Sequence, residues 1–259
     1  MSLCRRPDAP AKTGRNQKKA MADKSTGKVT LVAGGTGGLG RAVALRFLED
    51  SWATIVTYRA QEEFDALKRA AQTRARSLEG NAVDVTNEDA VRKLTETILA
   101  KHKRIDVLVN TVGAYAGGVP LWETDAKVFD QMFALNVRAG YVLSRVVVPV
   151  MLQQGKGAVV NVASRAAVDH AAGASAYAAS KAAALAMMNS LAADLTGTGV
   201  RVNSVLPSII DTEANRKAMP KADFTAWPKP EDIARVIAFL CSDEAKLIHG
   251  AAVPVYGKS

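Results

Sequence analysis

An α/β chain wound around a parallel sheet with helices on both faces is the fold class this sequence predicts, and three observations predict it. From Lys28 onward, short β-branched runs alternate with longer segments of helical period, the pattern that forces parallel strands joined by crossover helices. The strand-like runs read as buried, and no repeat, low-complexity stretch or linker divides the series. One doubly wound domain over residues 28–257 follows.

In chain order, residues 29–33, 54–57, 105–109, 158–162 and 200–205 read as strands. Residues 38–48, 88–100, 126–151, 175–195 and 231–241 read as the helices between and beyond them. Ligands of such sheets bind at the carboxyl ends of the strands, beside the point where strand order reverses.

Composition excludes several classes. The chain has 259 residues, 48% apolar and 23% charged, enough to bury a sizeable core. Two cysteines, Cys4 and Cys241, sit at opposite ends, which argues against a disulfide framework or a cysteine zinc site and for a reducing, cytoplasmic compartment. The most apolar stretch, 141–152, is broken by Ser144, Arg145 and Pro149, far short of the roughly 20 residues of a spanning helix. No membrane partner is expected. Net charge is +9, but residues 1–27 hold seven basic and two acidic side chains, so the rest carries only +4. With neither aromatic interleaving nor a recognised module, nucleic acid is not the expected partner. The basic segment lacks any apolar period and reads as a disordered extension. A transit peptide would show an amphipathic face, and Met21 offers an alternative start.

After the first strand comes Ala33-Gly34-Gly35-Thr36-Gly37-Gly38-Leu39-Gly40, then a helical segment. Strand, glycine turn and helix together present backbone N–H groups and a positive dipole end to a pyrophosphate. The glycines parse as G-x-G-x-x-G (Gly35, Gly37, Gly40) or G-x-x-x-G-x-G (Gly34, Gly38, Gly40), and both predict a dinucleotide. Further on, Tyr177-Ala-Ala-Ser-Lys181 lies early in an Ala-rich helix, where a spacing of four puts phenol and ammonium on one face. A neighbouring cation lowers a phenol's pKa toward useful proton exchange, so Tyr177 is the candidate general acid. Ser164 follows the strand ending at Val162, Asn136 lies in the preceding helix, and Asn110-Thr-Val-Gly113 ends another strand. All three converge with Tyr177 and Lys181 at the sheet's carboxyl edge.

With these motifs in this order, residues 28–257 resemble the short-chain dehydrogenase/reductase family. The second glycine parse is that family's register, Asn110-Thr-Val-Gly113 is similar to its Asn-Asn-Ala-Gly element, and the Ser164-to-Tyr177 separation is usual for it. The resemblance implies a Rossmann-like, mostly parallel seven-stranded sheet. It further implies that Ser164 bonds the substrate carbonyl, Tyr177 delivers the proton, Lys181 holds the nicotinamide ribose and tunes Tyr177, and Asn136 anchors the water of a proton relay. The cofactor would be lined by Gly34, Thr36, Gly38, Leu39 and Gly40, by Tyr58 and Arg59, by Asp84 and Val85 around the adenine, and by Asn110, Gly113, Pro207, Ile210 and Thr212. Ala33 and Ser208 depart from the family's Thr and Gly. A homotetramer or homodimer is also implied, with the 126–151 and 175–195 helices at its interfaces.

The turn after the second strand reads Thr57-Tyr58-Arg59, without a carboxylate to select NAD. Arg59 is placed to pair with a 2′-phosphate, so NADP(H) is favoured and NAD(H) remains open. The 211–227 segment resembles the substrate lid of dihydropteridine reductases, and the loop from Gly113 to Gly118 resembles theirs, with Tyr115 available to stack on a pterin. Candidate substrate contacts are Tyr115, His170, Met219, Phe224 and Trp227. Ser164 and Asn136 favour a carbonyl reductase, with dihydropteridine reductase as the alternative. A regulatory protein that binds dinucleotide without turnover is the reading from a different class.

Overall fold

The structure, a computed structural model, describes residues 27–258, so the reading of residues 1–26 as part of a basic extension lies outside the described residues. Seven strands form: β1 (Val29–Ala33), β2 (Ala53–Tyr58), β3 (Leu78–Ala82), β4 (Val107–Asn110), β5 (Gly157–Val162), β6 (Val200–Pro207) and β7 (Ala252–Val255). Their order in the sheet is β3-β2-β1-β4-β5-β6-β7, and all six neighbour pairs are parallel. Strand order therefore reverses between β1 and β4. The connecting helices are α1 (Gly38–Glu49), α2 (Gln61–Ala71), α3 (Glu88–His102), α4 (Ala126–Phe133), α5 (Ala139–Gln154), α6 (Ser175–Asp194), α7 (Glu213–Ala218) and α8 (Pro230–Cys241). The chain is a single Rossmann-like α/β domain, as its motifs imply.

Alternation along the strands feeds two apolar layers. Leu31, Ile55, Leu108, Val159 and Val202 join Val91, Leu94, Val142, Val147 and Met188 of α3, α5 and α6 on one face. Val32, Val56, Val109, Val160 and Val205 meet Val43, Phe47, Phe64, Leu67, Ile233 and Ile237 of α1, α2 and α8 on the other. Strands buried on both faces must be apolar throughout, which is why β1 could be recognised. Local signals fix the helix ends. The Asn87 side chain accepts the Ala90 N–H at 3.1 Å to cap α3, which ends at Lys103 in the left-handed region, and α8 opens on Pro230.

The single helix expected over 126–151 is divided. Between α4 and α5 lies one π turn, Ala134–Arg138, with Asn136 inside it. Taken as one run, Ala126–Gln154 is long and apolar enough by composition to cross a membrane, but 56% of its apolar window is buried within the domain. Its apolar face is spent on the core.

Candidate functional site

A cleft of ≈ 480 Å³ opens at the carboxyl edge of the sheet, over the β1/β4 reversal. It is lined by Gly34, Thr36 and Gly37, by Tyr58 and Arg59 after β2, by Asp84 and Val85 after β3, and by Thr111 to Ala114 after β4. That size is typical of a small-molecule site.

The glycine turn is built by close approach. Gly34 has φ +75°, a conformation favoured by glycine, and a Cβ on Gly40 would lie 2.1 Å from the Gly34 carbonyl oxygen. Gly40 thus lets α1 pack directly on the loop. Two threonines hold the turn: the Gly34 N–H donates to Thr57 Oγ1 at 2.9 Å, and Thr111 Oγ1 donates to the Ala33 carbonyl at 2.7 Å. The loop carbonyls are therefore held from β4, although Ala33 has no hydroxyl. Helix α1 has no side-chain cap and no acidic residue in its first turn. Its first N–H groups have no intrahelical acceptor, so the positive helix end lies behind the glycine loop with no cap of its own. That arrangement fits a dinucleotide pyrophosphate.

After β3, the Asp84 carboxyl accepts the Thr86 N–H at 2.9 Å and hydroxyl at 2.7 Å. These bonds hold it below the usual carboxylate range, with Arg59 and Arg138 adding to the effect. Arg59 is exposed on the rim, whereas Tyr58 stacks on Phe64 with centroids 4.9 Å apart. One residue absent from the sequence reading joins them: Glu63 of α2 lines the cleft and accepts the Thr36 hydroxyl at 2.8 Å. It escaped notice because α2 itself was not foreseen.

The inner end of the cleft, at Gly113, meets the expected cluster. A Cβ on Gly113 would come within 2.8 Å of Asn136 Oδ1 and 3.0 Å of Lys181 Nζ. Asn136 is 2% exposed, and its amide is fully engaged: Oδ1 accepts the Ala114 N–H at 2.8 Å, while Nδ2 donates to the Ala114 carbonyl and to Ser180 Oγ. Its side chain ties the post-β4 loop to α6 through the widened π turn. Asn110 bonds Asn161 across β4 and β5 at 2.9 Å, supporting the same edge. Lys181 is buried, donates to the Val162 carbonyl at 3.2 Å, and its Nζ lies 6.0 Å from the Tyr177 ring centroid.

The titration of Tyr177 departs from the expectation. Burial pushes the phenol up from its ordinary value, the hydrogen bond from Ser164 works in the opposite sense, and Tyr115 adds to the rise. Lys181 Nζ is directed to the Val162 backbone carbonyl, and burial lowers its ammonium to about 8.

The candidate substrate residues divide. Tyr115 stands at the cleft with its ring 70% exposed and edge-on to Tyr177 at 4.9 Å. His170 is exposed on the loop after β5, with Nδ1 3.3 Å from the Ala166 carbonyl oxygen. Trp227 is buried and packs at 5.0 Å on Phe224, so its ring is not exposed in this structure. The lid starts where Pro207 ends β6. Arg216 donates to Asp211 through both Nε and Nη2 and lies over the Phe224 ring at 4.9 Å. Ile210 accepts from Asn215 Nδ2 at 2.8 Å, and Met219 follows α7 half-buried. The Thr212 methyl approaches Gly38, where a Cβ would come within 2.7 Å of it. Leu39 is buried beneath the loop.

The chain is similar to known proteins along most of its length. The family model "short chain dehydrogenase" matches residues 28–223. The chain is 33% identical over 241 residues to 3-oxoacyl-[acyl-carrier-protein] reductase FabG of Thermotoga maritima, covering 89% of this chain and 97% of that protein. It is 32% identical over 238 residues to meso-2,3-butanediol dehydrogenase of Serratia marcescens, covering 89% and 93%. Among solved structures it is similar to ElxO with NADP bound, at TM-score 0.84 and 26% identity, covering 89% of this chain and 98% of that one. Levodione reductase matches at TM-score 0.84 and 27% identity, covering 89% and 96%.

Proposed function

This chain belongs to the short-chain dehydrogenase/reductase family and is by class an NAD(P)-dependent oxidoreductase, and from that premise we propose that it transfers a hydride between NADPH and a small carbonyl or alcohol substrate, with Tyr177 as general acid and base. The observation that carries this reading is that Ser164 hydrogen-bonds Tyr177 and Lys181 Nζ lies 6.0 Å from the Tyr177 ring, directly behind Gly113 of a cleft that the glycine loop before α1 also lines. The cofactor, when bound, would supply the hydride, and reduction of a carbonyl to an alcohol would consume one proton. Ser164 orients the carbonyl oxygen by a hydrogen bond. Tyr177, a phenol whose titration burial raises further above neutral pH, gives that oxygen its proton and recovers one from solvent. Lys181 holds the cofactor's ribose and presents positive charge beside the phenol ring. Asn136 is a positioning residue, because both ends of its amide fix Ala114 at the cleft wall.

NADPH is favoured over NADH by Arg59 on the rim, and the NADP-bound ElxO neighbour supports the same choice. Relatives named for 3-oxoacyl thioesters, a butanediol and levodione support a carbonyl or alcohol substrate. A pterin is the second reading, carried by the exposed Tyr115 ring in front of Tyr177. Self-association through α5 and α6 is supported by a mainly apolar groove of ≈ 500 Å³ between them, lined by Tyr141, Val148, Pro149, Met187 and Leu191. The deciding experiment is a turnover screen with NADPH and NADH against ketones, quinones, 3-oxoacyl thioesters and quinonoid dihydropterin. Reduction of a carbonyl compound is expected. Turnover of dihydropterin alone would select the second reading, and binding without turnover on any substrate would select a regulatory dinucleotide-binding protein.

A further inference from the structure

Glu63 and Arg59 place opposite charges on one rim of the cleft, at its adenosine end. Arg59 follows β2, and Glu63 lies in the first turn of α2. The Glu63 carboxylate is not simply facing solvent: Oε2 accepts the hydroxyl of Thr36, at the tip of the glycine loop, at 2.8 Å. The bond brings the carboxylate over the loop that receives the cofactor and leaves Oε1 with lone pairs to spare.

We propose that Glu63 is a cofactor-specificity residue that opposes Arg59, repelling a ribose 2′-phosphate and accepting a hydrogen bond from a free ribose 2′-hydroxyl. The inference rests on the dinucleotide reading of the cleft. An acidic side chain that selects NAD is commonly sought directly after the second strand, where this chain has Arg59. Here the carboxylate arrives from the following helix instead, tethered by Thr36. A 2′-phosphate meets Arg59 and Glu63 together, so attraction and repulsion partly cancel, and preference for NADPH becomes shallower than Arg59 alone would set. A 2′-hydroxyl is a neutral donor, and Glu63 Oε1 is placed to accept from it. Carboxylates in a first helical turn also serve the macrodipole, and the test separates the two roles: a purely structural Glu63 would move both cofactors together.

The experiment measures dissociation constants for NADPH and NADH, by direct titration of the intact protein at one ionic strength, in wild type, Glu63→Gln, Arg59→Ala and the double variant. Gln keeps an acceptor for Thr36 while removing the charge. Glu63→Gln is expected to move the ratio of the two constants toward NADPH by about tenfold, equivalent to about 1.4 kcal/mol. Arg59→Ala should weaken NADPH alone, by about 10- to 150-fold for one charge-assisted bond, and Arg46 is not free to replace it because it pairs with Asp50 at 2.7 Å. The double variant should return toward the wild-type ratio. Raising the salt concentration should shrink the Glu63→Gln effect. An unchanged ratio in Glu63→Gln, or equal changes for both cofactors, overturns the proposal while leaving the dinucleotide reading intact. A wild type that binds neither cofactor overturns that reading and the proposal with it.

Discussion

Burial drives the pH behaviour of Tyr177 and Lys181, pushing the phenol up and the ammonium down to about 8. Reduction needs a protonated Tyr177 and a charged Lys181, so its kcat/KM should fall as pH rises through about 8, with Lys181 titrating first. A pH–rate profile checks this, and a flat profile across that region would remove the ammonium from the reaction. The same shift has a stability consequence. The folded value lies below the unfolded 10.5, so the unfolded state binds more protons between about pH 8 and 10.5, and this group's contribution to stability rises with pH across that window. Below it the full cost of burying the charge applies. Lys181→Met should therefore stabilise the fold at pH 7 by about 1–3 kcal/mol, a rise of several degrees in Tm, while abolishing turnover. A fall in Tm, measured by calorimetry, would show that the bond to Val162 outweighs desolvation.

Glycine and threonine spacing decide how α1 meets its strand. A Cβ on Gly40 would sit 2.1 Å from the Gly34 carbonyl oxygen, so Gly40→Ala should force the loop open. The overpacking cost is about 1–3 kcal/mol, and binding of both dinucleotides should weaken together. Equal affinities in variant and wild type would show that the loop is more plastic than its geometry suggests. The elements missed from the sequence share a cause. Strand β3 reads Leu-Glu-Gly-Asn-Ala, with no β-branched residue, and is held by its register with β2. Strand β7 contains Pro254, which an edge strand tolerates. Helix α2 buries only Phe64, Leu67 and Ala71, and with it went Glu63. The π turn at Asn136 has no sequence signal, since its extra residue is set by packing and by the hold on Ala114. Tertiary context decides each of these.

At the scale of the whole molecule, the doubly wound architecture was legible because strands buried on both faces leave unbroken apolar runs, and the motifs lie in one order along them. The glycine turn was legible where close backbone approach demands glycine, as at Gly40. The candidate site was not legible where a side chain arrives from an unforeseen helix, as Glu63 does, or where burial reverses an expected shift, as at Tyr177. If the proposed self-association uses the groove between α5 and α6, Leu191→Asp should shift the particle toward monomer in light scattering, and an unchanged mass would contradict that interface. The account's central claim is that Tyr177 delivers the proton within an intact cofactor site. It is tested most directly by comparing NADPH-dependent carbonyl reduction and NADPH affinity in wild type and Tyr177→Phe. Turnover should fall by about 10²- to 10⁴-fold, the usual contribution of general acid catalysis, with affinity for NADPH unchanged. A variant that keeps most of its turnover would contradict the claim.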